Sequence, residues 1–124
     1  MAVEFDPTRP IYLQIMEEIK RRVVQGQYPP GAKLPSVRET ASEMGVNPNT
    51  MARAYMELER EGFVATRRGE GSFVTDEAGR VEGEREALAG AARARFVAQI
   101  RQLGLTRAQV RSLLTQMGKE IENG

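Results

Sequence analysis

Between Leu34 and Val74 the chain carries two helix start signals, two glycine stops and a basic turn rich in glycine, a succession that leaves few folds open to it. The first amide groups of a helix have no partners within the helix and need a nearby oxygen. Ser36 supplies one, and with Glu39 the run Ser36-Val37-Arg38-Glu39 has the form of a capping box behind Pro35, so a helix is expected from Ser36 through Met44. Gly45 ends it. Asn47 is a good cap and Pro48 suits a first helical position, so a second helix starts after the turn Gly45-Val46-Asn47 and stops at Gly62.

Within this second helix Met51, Ala54, Tyr55 and Leu58 recur at i, i+3, i+4 and i+7 and form one core-facing stripe, with Asn49, Arg53 and Arg60 opposite. No acidic residue occurs from Met44 to Met56, whereas Glu57, Glu59 and Glu61 gather at the far end. The N-terminal half of the helix is thus the part compatible with a polyanion. Phe63-Val64-Ala65-Thr66 and Ser72-Phe73-Val74-Thr75 are short β-prone runs around Arg67-Arg68-Gly69-Glu70-Gly71, which predicts a hairpin with its arginines at a glycine-relaxed tip. The Gly-x-Gly at that tip lacks the helix and lysine that follow it in a nucleotide loop. A lone Arg or Asn on an exposed helix face is ordinarily just solvated. Here the order helix, tight turn, capped helix with amide and guanidinium groups, and basic hairpin is that of a winged helix-turn-helix. In that module the second helix enters the DNA major groove and the wing meets a phosphate or the minor groove.

Three runs sharpen this expectation. Pro10-Ile11-Tyr12-Leu13-Gln14-Ile15, Gly31-Ala32-Lys33-Leu34-Pro35-Ser36-Val37-Arg38 and Gly71-Ser72-Phe73-Val74 together closely resemble the DNA-binding domain of the GntR family of bacterial transcription regulators, over residues 9–76. Val46-Asn47-Pro48-Asn49-Thr50-Met51 with Arg53-Ala54-Tyr55 looks most like the small YtrA-type branch. The resemblance implies that Ser36 and Arg38 contact phosphate or base edges, that Asn47, Asn49, Thr50 and Arg53 lie at the recognition helix, and that the wing glycines Gly69 and Gly71, beside Arg67 and Arg68, approach the groove. Many relatives carry arginine where this chain has Pro48. That departure removes one base contact and leaves more of any guanine reading to the paired donors of Arg53.

Upstream, Tyr12, Ile15, Met16, Ile19 and Val23 mark a scaffold helix from about Pro10 to Gln25. The Lys20-Arg21-Arg22 cluster at its end is favoured by the helix dipole and reads as structural. After Thr75 the composition turns polar and glycine-containing, which suggests a winged-helix domain over residues 1–76 and a linker over 77–83. In residues 84–124 a helix with Leu88, Ala92, Phe96 and Leu103 near one stripe ends at Gly104. Thr106 and Gln109 then cap a helix carrying Val110, Leu113, Leu114, Met117 and Ile121. The expected fold is therefore α+β and mainly helical, closing in a two-helix hairpin. Such a pair cannot bury both stripes alone, and a second copy is the simplest cover, because a two-fold DNA reader needs a dimer. In the YtrA-type branch, by resemblance, the short tail serves dimerisation and the regulator often sits beside transporter operons. A tail of this size cannot enclose a typical small-molecule pocket, so an effector site would lie between subunits.

Composition excludes more than it assigns. The 124 residues contain neither histidine nor cysteine, which removes the usual nucleophile–base pairs, thiolate zinc sites and disulfides, and no metal or cofactor is expected. Glu39 and Glu43 share a helix face without a pocket signal, so acid–base chemistry is not expected. No apolar run spans a bilayer and no signal-peptide core is evident, which predicts a cytoplasmic protein without a membrane partner. With 18 basic against 17 acidic residues the net charge is only +1, so any affinity for double-stranded DNA must come from placement of charge. The competing reading is a winged-helix module that binds protein and not DNA.

Overall fold

Ser36 Oγ accepts the Glu39 N–H at 3.1 Å while the Glu39 carboxylate accepts the Ser36 N–H at 3.2 Å. This reciprocal cap opens a helix at Val37, and Gly45, with a left-handed φ of +71°, closes it after Met44. The computed structural model describes residues 3–124. It contains α1 (Ile11–Val24), α2 (Val37–Met44), α3 (Pro48–Arg60), β1 (Val64–Arg67), β2 (Gly71–Val74), α4 (Arg80–Arg101) and α5 (Arg107–Asn123). The chain divides into two compact units, the first running to Ala87 and the second comprising Leu88–Gly124. No helix among the described residues is long and apolar enough to cross a membrane.

In the first unit α3 is the central element and packs against α1, α2 and β1. The stripe Met51, Ala54, Tyr55 and Leu58 is buried with Ile15, Ile19 and Val23 from α1 and Ala41 and Met44 from α2. Tyr55 also fixes the approach to α2, because its hydroxyl donates to the Pro35 carbonyl at 2.7 Å and lies 2.8 Å from Thr40 Oγ1. Thr40 Oγ1 in turn donates to the Ser36 carbonyl at 2.9 Å, so of the three contacts only the one between the two hydroxyls is fully buried. Burial pushes the Tyr55 phenol above its ordinary pKa.

The wing departs from its expected bounds by one residue on each strand. Val64 pairs with Val74, Ala65 with Phe73, Thr66 with Ser72 and Arg67 with Gly71. The tip is therefore Arg68-Gly69-Glu70, closed by the Glu70 N–H on the Arg67 carbonyl at 2.9 Å. Phe63 does not begin the strand. Its side chain is 1% exposed and its N–H caps α3 through the Leu58 carbonyl, so core packing claims it first. A third extended segment, unread in the sequence, flanks β2. Lys33 bridges Phe73, Leu34 N–H donates to the Ser72 carbonyl at 2.8 Å, and Val74 N–H donates to the Ala32 carbonyl at 2.8 Å.

The stretch expected as a linker over 77–83 is helical from Arg80 onward. Partners in the first unit account for the early start. Val81 packs against the core, Arg80 donates to the Glu61 carbonyl, and Arg85 Nη2 donates to the Val24 carbonyl at 2.6 Å. Glu84 lies 3.2 Å from Lys20 Nζ. These contacts outweigh the roughly 1 kcal/mol by which Gly83 disfavours a helix interior. In the second unit Thr106 and Gln109 form the reciprocal cap that opens α5. No residue of α4 or α5 is buried: Leu88, Phe96, Val110, Leu113 and Met117 are half-buried, and Ala92, Leu103, Leu114 and Ile121 are exposed. Ile100 and Leu105, not singled out in the sequence, are half-buried as well.

Candidate nucleic-acid interface

The residues expected to meet DNA lie at the starts of α2 and α3, along α3 and on the wing. Ser36 is the cap of α2, and Arg38 is exposed at its second residue, within the first turn. Asn47 caps α3 with its Oδ1 accepting the Asn49 N–H at 2.7 Å. Asn49 and Arg53 are exposed on α3 and Thr50 is half-buried between them. The first turn of α3 contains no acidic residue, and since Pro48 has no N–H and the Asn49 N–H is capped, the Thr50 N–H and the positive dipole end are what it offers an anion. Caps commit one acceptor each of Ser36 and Asn47 to their own helices, while the Asn47 amide donors stay available.

The cations of the first unit fall into two sets. Among its described residues, Arg9, Lys20, Arg21, Arg22, Arg60 and Arg85 are ion-paired, and Arg80 serves a carbonyl. Lys33, Arg38, Arg53, Arg67 and Arg68 have no carboxylate partner there. The second set lies on the approach to α2, on α2, on α3 and on the wing. The Lys20-Arg21-Arg22 cluster belongs to the first set, in keeping with its structural reading. Arg22 lies 2.9 Å from Glu18 and 2.8 Å from Glu43, and Lys20 lies 2.7 Å from Glu61. Burial alone would pull the Lys20 and Arg22 pKa values down, but hydrogen bonds to these carboxylates outweigh it and leave both raised. Glu39 and Glu43, the two carboxylates sharing a face of α2, are thereby occupied by the Ser36 cap and by Arg22. Among the described residues no cluster of metal-ligating side chains occurs.

Two of the free guanidiniums rest on aromatic rings. Arg67 Cζ lies 4.2 Å from the centre of the Phe73 ring, which holds it along the wing instead of at its tip. Arg53 Cζ lies 3.8 Å from the centre of the Tyr12 ring at the start of α1. Arg68 alone of the wing arginines occupies the tip, beside Gly69 with its φ of +80°. Gly71 is constrained by its backbone, and a side chain there would also push the flexible end of Lys33 aside. The Gly71 φ is +119°, and a Cβ there would come within 2.9 Å of Lys33 Cε. Lys33, which enters the sequence reading only within a family-resembling run and without a role, is thus laid across the wing base. Its signal was the short extended run Ala32-Lys33-Leu34 held between Gly31 and Pro35, since a residue before proline is driven to extended backbone.

Comparison with known proteins bears on the family and the fold. Residues 11–74 match the family described as bacterial regulatory proteins, gntR family. The chain is 45% identical over 110 residues to the uncharacterized HTH-type transcriptional regulator YhcF of Bacillus subtilis, covering 89% of this chain and 91% of that one. It is 46% identical over 78 residues to the HTH-type transcriptional repressor YtrA of the same organism, covering 61% and 60%. A GntR family transcriptional regulator from Listeria monocytogenes superposes with a TM-score of 0.81 at 36% identity, over 90% of this chain and 98% of that one. The DNA-binding domain of AraR, solved in complex with operator ORX1, superposes with a TM-score of 0.56 at 29% identity, over 60% of this chain and 95% of that one.

Proposed function

The chain belongs to the GntR family of bacterial transcription regulators, and on that premise we propose that it is a homodimeric repressor that binds a pseudo-palindromic operator. The observation that carries the reading is the division of the cations: Arg9, Lys20, Arg21, Arg22, Arg60 and Arg85 lie against carboxylates and Arg80 against a carbonyl, while Lys33, Arg38, Arg53, Arg67 and Arg68 have no carboxylate partner among the described residues of the unit. Arg53 presents two donors to a guanine edge in the major groove, flanked by Asn49 and Thr50 one turn earlier. Ser36, Arg38 and the wing, with Arg67, Arg68, Gly69 and Gly71, hold the phosphate backbone and fix the register of α3. Lys33 adds a cation at the base of the wing.

Dimerisation falls to the second unit, whose apolar residues from Leu88 to Ile121 are nowhere buried within one chain. A second copy covers them, and joining two readers makes the second half-site contact effectively intramolecular. An effector site, where one is used, lies between the subunits. The repressor named YtrA supports the sign of regulation, and a transporter operon is the first target to examine in the gene's neighbourhood.

Selection of the purified protein on random duplex DNA, followed by titration of the enriched site with salt, tests the reading. The expected result is a spaced two-fold sequence whose affinity falls steeply as salt rises. Failure of the folded protein to enrich any duplex would overturn it in favour of a protein-binding winged helix.

A further inference from the structure

Tyr12 lies on the scaffold helix, yet its ring is only half-buried and faces α3 across an open cleft lined by Pro10, Ile11, Asn49, Thr50 and Arg53. The Arg53 guanidinium carbon sits 3.8 Å from the centre of that ring, the spacing of stacked planes. No carboxylate within the described residues competes for Arg53. Stacking engages the face of a guanidinium and leaves its in-plane N–H edge free, and that edge is the part which forms a two-point contact with guanine. An unstacked arginine on an exposed helix face samples many rotamers and surrenders that freedom on binding.

We propose that Tyr12 is a specificity-determining positioning residue: its ring holds Arg53 in the orientation that reads a base, so that discrimination at one operator position depends on a side chain of α1. The inference rests on the assignment of α3 to the major groove. It also gives the Pro10-Ile11-Tyr12 start of α1 a part in recognition that its apolar spacing, which assigns Tyr12 to the scaffold, does not reveal.

The test measures affinity of the full-length protein for its selected operator and for operators changed at each position, in Tyr12→Phe, Tyr12→Leu, Arg53→Ala and the Tyr12→Leu/Arg53→Ala pair, with melting curves for each. Arg53→Ala identifies the position that Arg53 reads. The expected result is that Tyr12→Leu lowers discrimination at that position by about two- to fivefold, the scale of an exposed cation–π contact. Binding to sequences altered there should hardly change, Tyr12→Phe should retain the wild-type discrimination, and Tyr12→Leu should add nothing once Arg53 is absent. Arg53→Lys, which leaves Tyr12 untouched and keeps the charge without the planar fork, should lose discrimination at the same position and so gives a second reading if Tyr12→Leu fails to fold. Equal loss on all sequences, additivity of Tyr12→Leu with Arg53→Ala, or undiminished discrimination in Arg53→Lys would overturn the proposal while leaving DNA binding in place. A wild-type protein that binds no duplex would overturn the functional reading itself, and the two failures are therefore distinct.

Discussion

Arg53 and Arg68 carry the same charge into different surroundings, one on α3 against the Tyr12 ring and the other at an exposed wing tip. Arg53→Ala is accordingly expected to cost about 1–3 kcal/mol on the selected operator and to relax one base preference. Arg68→Ala should weaken all duplexes alike and lower the slope of log affinity against log salt by about one. Binding isotherms at several salt concentrations separate the two, and a reversed pattern would exchange the roles of helix and wing. Gly71 belongs to the same scale. Its φ of +119° strains any side chain, so Gly71→Ala should cost about 1–3 kcal/mol and displace Lys33, read as a lower melting temperature together with weaker duplex binding. The sequence displayed Arg53, Arg67, Arg68 and both glycines, because charge and backbone freedom are properties of residue type. It could not display the Tyr12 stack or the position of Lys33, which arise only when segments far apart in the chain meet.

At the level of elements, caps were legible and boundaries were less so. Ser36, Asn47 and Thr106 act within three residues of themselves, and each starts its helix where spacing placed it. The start of α4 depends instead on Lys20, Glu61 and Val24, and no local pattern could have moved it from the vicinity of Glu84 back to Arg80. The α2 cap also gives that helix a pH dependence. The Ser36 backbone N–H, followed by the Ser36 side chain, holds the Glu39 carboxyl below its ordinary pKa of 4.5. A lowered folded value means that the contribution of the cap is present above the ordinary glutamate pKa and is lost as pH falls through the folded one. Glu39→Gln keeps the geometry of the box without the titration. Over that acid window the stability of Glu39→Gln should fall less than that of wild type, as measured by circular dichroism in denaturant at stepped pH.

For the whole molecule the division of labour between two units sets the sharpest expectation. Leu113 and Ile121 belong to α5, and Ile121 is 76% exposed in the single chain. Leu113→Asp with Ile121→Asp should yield monomers by sedimentation and lower operator affinity by orders of magnitude, with the fold of the first unit intact. A double variant that stays dimeric, or that binds as wild type, would move the interface elsewhere. Read from the sequence, the first domain closes at residue 76, whereas the first compact unit runs to Ala87, because residues after Thr75 look like a linker until their partners on α1 and at the end of α3 are known. The bonds of Gly31 and Leu34 to Val74 and Ser72 have one more consequence. They join the strand that leads into α2 to the last strand of the wing, so a nascent chain still lacking Ser72 to Val74 has nothing with which to close that edge. A chain ending before Ser72 therefore lacks the partners of the Gly31 and Leu34 N–H groups, and the segment that leads into α2 is held only once the wing is complete.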